Sequence, residues 1–389
     1  MMRMRKKSWS VWVMGAVALC IISSILAGCA RRESGTTQQT TLKIGAVLPL
    51  SGDAAVYGKA IKDGIDLALS EISGMDEFKG KKIEIIYEDD QGKASVGVSA
   101  VQKLISQDKV PVIIGGAMSS VCAAIGPVCQ RNRVVLISPT ATAPTLREIG
   151  NYLFFLWPSD NYDGKIMAEF AYRKLGIRRV AILYVNLEYG KGIEAVFRSE
   201  FEKLGGQVVA SEAYAQGATD FRAQLTKIKA LSPDALYLPG YYKELAGILK
   251  QARQLGLKTK FLSVNSFYDP KLLQIAGDSA EGAIFTYPLY DPKSEDAVTR
   301  KFVDAFKKKY GKEPDIFAVQ GYDALKLVAL VVASGNSTSD SIRQALTEVK
   351  NYSGAGGTIT FDENGDVIKP LRLLTVRNGK FEPLANGTE

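Results

Sequence analysis

From Leu42 onward, short β-branched apolar runs alternate with longer stretches whose apolar residues recur every three or four positions. Residues 42–48 (LKIGAVL) read as a buried strand, and 57–72 place Ile61, Ile65, Leu69 and Ile72 on one helical face. The βα pattern repeats: strands at 82–88, 111–116 and 133–138 alternate with helices at 94–107 and 120–132. After Asp160 the rhythm restarts, with helices at 163–175, 190–204, 219–231 and 243–255 and strands at 178–185, 207–214, 234–240 and 260–264. Such alternation predicts an α/β fold of parallel sheets covered by helices on both faces, and two successive series predict two similar lobes. The tail reads as helices near 294–309, 316–333 and 340–349. A hairpin is expected to turn at Asn364-Gly365, between GTITFD and the strand around Leu371 to Val376.

The segment before Leu42 breaks this pattern. Arg3, Arg5, Lys6 and Lys7 form a basic start, an apolar stretch follows from about Trp9 to Leu26, and small residues precede Cys29. An uncleaved anchor helix is the competing reading, since the stretch is nearly long enough to span a bilayer. Leu26-Ala27-Gly28-Cys29 resembles the bacterial lipobox, which implies a signal peptide over 1–28 and a lipid on Cys29. Residues 29–41 (CARRESGTTQQTT) lack apolar periodicity and read as a flexible tether. The rest is then expected to be extracytoplasmic and held to a membrane.

Composition narrows the function. With 389 residues, 46% hydrophobic and 23% charged, the chain is expected to bury a sizeable core, and no further stretch is expected to cross a membrane. Four positive charges of the formal +8 sit in the basic start, and no basic tract is interleaved with aromatics, which argues against nucleic acid. The chain has no histidine, so Ser/His/Asp and Cys/His sites cannot be assembled and the commonest zinc ligand is missing. Cys122 and Cys129 on one continuous helix would have Cα atoms about 10 Å apart, too far for a disulfide. Two buried free thiols are expected unless Pro127 bends that helix.

Two places suit a ligand, because open α/β sheets bind at the carboxyl ends of their strands. In Gly115-Gly116-Ala117-Met118-Ser119-Ser120 a strand ends in glycines and serines start a helix. There a hydroxyl can cap the helix or grip a carboxylate in the positive field of its terminus. Ser138-Pro139-Thr140-Ala141-Thr142-Ala143-Pro144 is a stiff polar loop, or a plain surface turn. Neither pairs a nucleophile with a base, so no enzyme and no cofactor is expected. The phosphate-loop and dinucleotide signatures are absent, and Asp89-Asp90 reads as capping the loop that follows rather than as a metal site.

The strings KIGAVLPLSGDAAVYGKAIKDGIDLA, YEDDQGKAS, ISPTATAP, LYVNLEYGKG, LPGYYKELAGILKQARQLGLKTKF, IAGDSAEG and FDENGDV, in that order, resemble the branched-chain amino-acid (Leu/Ile/Val) binding proteins of bacterial ABC importers. The resemblance covers about Leu42 to Phe381 and implies a type I periplasmic-binding-protein fold: two α/β lobes joined by a three-segment hinge. Lobe 1 would hold 42–161 plus 288–366, and lobe 2 would hold 162–287 plus 367–389. It implies a carboxylate grip by Ser119, and carboxylate and ammonium contacts by Thr140, Ala141 and Thr142. A cleft wall of Tyr57, Tyr189, Tyr241 and Phe317 is also implied, with Trp157 and Tyr162 near the first crossover. Gly92 and Met118 stand where some relatives have a cysteine pair for a disulfide, and Met118 is expected among the ligand-binding residues.

One departure stands out. Where leucine binders of the family place a glutamate for the ligand ammonium, this chain has Asn265. Either Asp160 or Asp163 then takes that role, or the ligand is not an ordinary α-amino acid. The expected partners are a small carboxylate ligand, ABC permease subunits and the membrane; a sensor or binder of amides or aromatic acids is the alternative on the same fold.

Overall fold

The structure is a computed structural model that describes residues 40–78 and 81–384. The expected signal peptide and the Cys29 lipid site lie outside the described residues.

The first βα series forms β1 (Thr40–Leu48), α1 (Ala55–Ile72), β2 (Lys81–Asp89), α2 (Ala94–Ser106), β3 (Val112–Gly115), α3 (Ser119–Asn132), β4 (Val135–Ser138) and β5 (Leu153–Phe155). Its five strands order as β2-β1-β3-β4-β5, with parallel pairing from β1 to β5. The second series forms α4 (Asp160–Glu169), β6 (Arg179–Val185), α5 (Glu188–Lys203), β7 (Gln207–Tyr214), α6 (Arg222–Ala230), β8 (Ala235–Leu238), α7 (Tyr242–Gln254), β9 (Lys260–Ser263), α8 (Pro270–Ala276) and β10 (Ile284–Pro288). A π-helical turn over Phe170–Lys174 continues α4. Then come α9 (Ala297–Tyr310), α10 (Ile316–Ala333), α11 (Ser339–Thr347), β11 (Tyr352–Gly354), β12 (Gly357–Ile359), β13 (Leu371–Arg377) and β14 (Lys380–Pro383). The second sheet orders as β14-β13-β10-β9-β8-β6-β7. Central strands β3, β4 and β8 are buried along their whole length, as two-sided helical cover requires.

The expected α/β lobes are present, and the second sheet gains an antiparallel edge. The hairpin is not where Asn364-Gly365 suggested. That turn closes only a single bridge, Phe361 with Val367. Gly357–Ile359 pairs instead with Tyr352–Gly354. The Gly365 carbonyl accepts from Phe155 N at 2.8 Å, which fastens the turn to β5. Beyond Pro370, which has no N–H to continue a ladder, the chain joins the other sheet as β13 on the free edge of β10. The real two-residue hairpin is Asn378-Gly379, both left-handed (φ 52° and 68°), between β13 and β14.

Helix α10 overturns a second expectation, that nothing beyond the signal peptide is long and apolar enough to cross a membrane. Its 18 residues, with mean hydropathy 1.7, pass that test by length and composition. The apolar content serves the core of the first lobe: α10 crosses α1 at bare backbone. A Cβ on Gly64 would lie 1.9 Å from the Ala318 carbonyl oxygen, and one on Gly321 would lie 2.1 Å from that of Ile61. Cys122 and Cys129 are free and buried on α3, which runs through Pro127. Burial pushes the Cys122 thiol up to about 12.

Candidate functional site

In each sheet the strand order reverses once in a way that opens a crevice at the carboxyl ends: between β1 and β3 in the first, and between β6 and β8 in the second. The chain places its polar and aromatic positions at these points. Tyr57 lies in the first turn of α1, Ala117 to Ser119 follow β3, and Thr140 and Thr142 follow β4. Tyr189 and Tyr241 follow β6 and β8, Asn265 and Ser266 follow β9, and Phe317 opens α10. All of them, Met118 included, line one cavity.

Of the residues expected from sequence, Ala141 is set apart. It is buried, its N–H donates to Ser138 Oγ at 3.1 Å, and it does not line the cavity. Tyr162 is 47% exposed and also lies outside the lining, because it points away from the buried face of α4 that carries Asp160 and Asp163. Ala117 and Ser266 line the cavity without having been singled out; each is the immediate neighbour of a residue that was.

The hydroxyls have defined directions. Ser119 Oγ accepts from Thr142 N and Ala143 N, both at 3.3 Å, so its own proton remains to donate. It is the first residue of α3, whose N-cap is Met118 without a side-chain cap bond, so Ser119 does not serve as the cap. Thr140 Oγ1 donates to the Ala117 carbonyl at 2.8 Å, and Thr142 Oγ1 donates to Asp160 Oδ2 at 2.9 Å. Asn265 Nδ2 donates to Asp163 Oδ2 at 3.3 Å, and Thr286 Oγ1 donates to Asp163 Oδ1 at 2.5 Å.

Aromatic rings form the rest of the wall. Tyr189 stacks on Tyr241 with centroids 5.6 Å apart, and Tyr57 packs on Phe317 at 4.7 Å. Trp157 stacks behind Phe317 at 5.6 Å as a second layer, which is how it contributes without lining the cavity. The buried hydroxyls of Tyr57 and Tyr189 have no hydrogen-bond partner of normal geometry.

No charged side chain lines the cavity. Asp160 and Asp163, both buried, stand one layer back, bonded to Thr142 and Asn265 of the lining. Burial, with the Asp163 charge beside it, raises the Asp160 carboxyl well above the usual range; burial pushes Asp163 up to about 6, opposed by its bonds from Thr286 and Asn265. Asp160 Oδ1 has no hydrogen-bond partner. The Asp89 and Asp90 carboxylates bond instead to loop N–H groups: Asp89 Oδ1 accepts from Leu50, Ser51 and Gln91, and Asp90 Oδ1 from Gly92. Neutral donors, neutral acceptors and ring faces are equipped to hold a ligand, and Ser119 has no general base among its hydrogen-bond partners.

A family model for periplasmic binding proteins matches residues 41–380. The Leu/Ile/Val-binding protein of Escherichia coli K12 is 30% identical over 371 residues, 94% of this chain and 97% of that protein. A branched-chain amino acid transporter substrate binding protein from Streptococcus pneumoniae, solved in complex with isoleucine, is 34% identical with a TM-score of 0.80, covering 88% of this chain and 98% of that one. An ABC-transporter solute binding protein from Rhodopseudomonas palustris, solved with 3,4-dihydroxybenzoic acid, is 27% identical with a TM-score of 0.79, covering 89% and 96%.

Proposed function

This chain belongs to the periplasmic binding protein family, and we propose that it is the solute-binding lipoprotein of an ABC importer. It takes a small carboxylate, a branched-chain or related amino acid, between its two lobes. The observation that carries this reading is the Ser119 hydroxyl. Two backbone N–H groups fix its oxygen at the start of α3 and leave its proton directed to a ligand, in the field of a 14-residue helix. The Tyr57, Tyr189, Tyr241 and Phe317 rings come from both lobes, so closing the hinge wraps them round the ligand side chain. The closed form then docks on the permease. A lipid on Cys29 keeps this trap outside the cytoplasm near its partner, since residues 30–41 reach at most ~40 Å. The chemistry is binding and release, with no covalent step.

A thermal-shift screen of the chain from Arg31 onward against amino acids, amides and aromatic carboxylates tests this. A ligand at about 100 times its dissociation constant adds ~2.7 kcal/mol. A second reading, a binder or sensor of aromatic acids, is favoured by one observation: the wall is aromatic and uncharged, and a relative of the same fold holds a dihydroxybenzoate.

A further inference from the structure

We propose that Asp163 and Asp160, one layer behind the wall, supply the negative charge that holds a ligand ammonium group, relayed through the Asn265 amide and the Thr142 hydroxyl. The natural ligand is then a zwitterionic amino acid. This rests on the carboxylate-binding reading of the cavity and specifies which carboxylates the cavity takes.

An ionised carboxylate accepts hydrogen bonds and cannot donate them. With Asn265 Nδ2 donating to Asp163, the carbonyl oxygen of that amide is left for the cavity that Asn265 lines. Thr142 commits its hydroxyl proton to Asp160, and Thr140 commits its own to the Ala117 carbonyl, so both present lone pairs. Three lining residues are therefore acceptors, whereas Ser119 keeps its proton as a donor. Acceptors and a donor lining one cavity match an ammonium and a carboxylate on one carbon. An aromatic acid with no N–H or hydroxyl donor would leave buried acceptors unpaired.

Charge on the second layer points the same way. Asp160 and Asp163 are three residues apart on one face of α4, both buried. Arg147, whose field reaches Asp160, is engaged by Asp366 at 2.8 and 2.5 Å. Asp160 Oδ1 has no partner. Burial raises both carboxyls in the ligand-free protein, and an incoming ammonium is the cation that holds them ionised. The acid absent at position 265 is thus replaced by a polarised neutral relay.

Calorimetric titration of the full-length chain in detergent micelles tests the relay. L-leucine, L-isoleucine, L-valine and L-phenylalanine are each paired with the carboxylic acid that lacks the amino group. The best amino acid should bind about tenfold or more tighter than its counterpart. Asp163→Asn, which removes the charge behind Asn265 and keeps an amide oxygen to accept from it, should weaken the amino acid about tenfold and leave the counterpart nearly unchanged. Thr142→Val should shift the ratio in the same direction by an independent route. Equal weakening of both ligands in the two variants shows general damage and overturns the relay. A wild-type protein that binds the counterparts as tightly as the amino acids overturns it too, with the carboxylate site intact. Binding of neither series overturns the carboxylate reading itself.

Discussion

Asn265 and Asp163 are 102 residues apart in sequence and share a hydrogen bond of 3.3 Å. It joins the turn after β9 to the first turn of α4, and it gives the cavity wall a fixed amide backed by a buried carboxylate.

Burial holds the Asp163 carboxyl at about 6, against about 3.9 in an unfolded chain. Between these values the unfolded chain has lost a proton that the ligand-free folded protein keeps. The contribution of Asp163 is therefore fully present below about 4 and is lost as pH rises through about 6, on the order of 2–3 kcal/mol in all. Asp163→Asn should raise the ligand-free Tm more at pH 7.5 than at pH 5 in scanning calorimetry. A gain independent of pH would contradict the assigned environment.

A second prediction concerns the crossing of α1 and α10, which carry Tyr57 and Phe317 to the wall. Gly64→Ala puts a Cβ against the Ala318 carbonyl, where neither backbone can yield without moving its helix. Overpacking of this kind costs about 1–3 kcal/mol. Both Tm and ligand affinity should fall, whereas Gly74→Ala, whose nearest neighbour is an ordinary 3.5 Å away, should leave affinity unchanged.

Arg147 supplies a third. Its side chain reaches Asp366 through two bonds, the Ala143 carbonyl at 3.0 Å and the Trp157 carbonyl at 3.4 Å, and it covers the Phe155 ring at 4.1 Å. It therefore ties the loop after β4 to the segment leading into the second lobe. Asp366→Ala leaves this guanidinium, 10% exposed, without its carboxylate, and breaking a buried pair costs about 3–5 kcal/mol. Urea denaturation should show the loss. A change below about 1 kcal/mol would place the pair among surface bridges of little weight.

Much of this architecture was legible in the chain. The 3.6-residue period placed α1 within a few residues, because that helix buries a continuous apolar face. The carboxyl-end rule led to Ser119 and the Thr140–Thr142 loop, and the family resemblance added the aromatic wall. What the sequence hid is long-range. Two Asn-Gly pairs lie 14 positions apart with similar local chemistry, and only the free edge of β10 selects the second as the hairpin. The Asp163–Asn265 bond and the direction of the Thr142 hydroxyl depend on contacts between distant elements, which no local pattern encodes. Tyr162 and Ala141 lie outside the lining for a related reason: neighbours in sequence on a turn or a helix start face opposite sides.

Carboxylate capture at the start of α3 stands or falls on the dissociation constant of the best ligand for Ser119→Ala, measured by calorimetry beside wild type and Ser120→Ala. Ser119→Ala should weaken binding about tenfold or more, on the order of 1.4 kcal/mol, with Ser120→Ala close to wild type. Unchanged affinity in Ser119→Ala would contradict it.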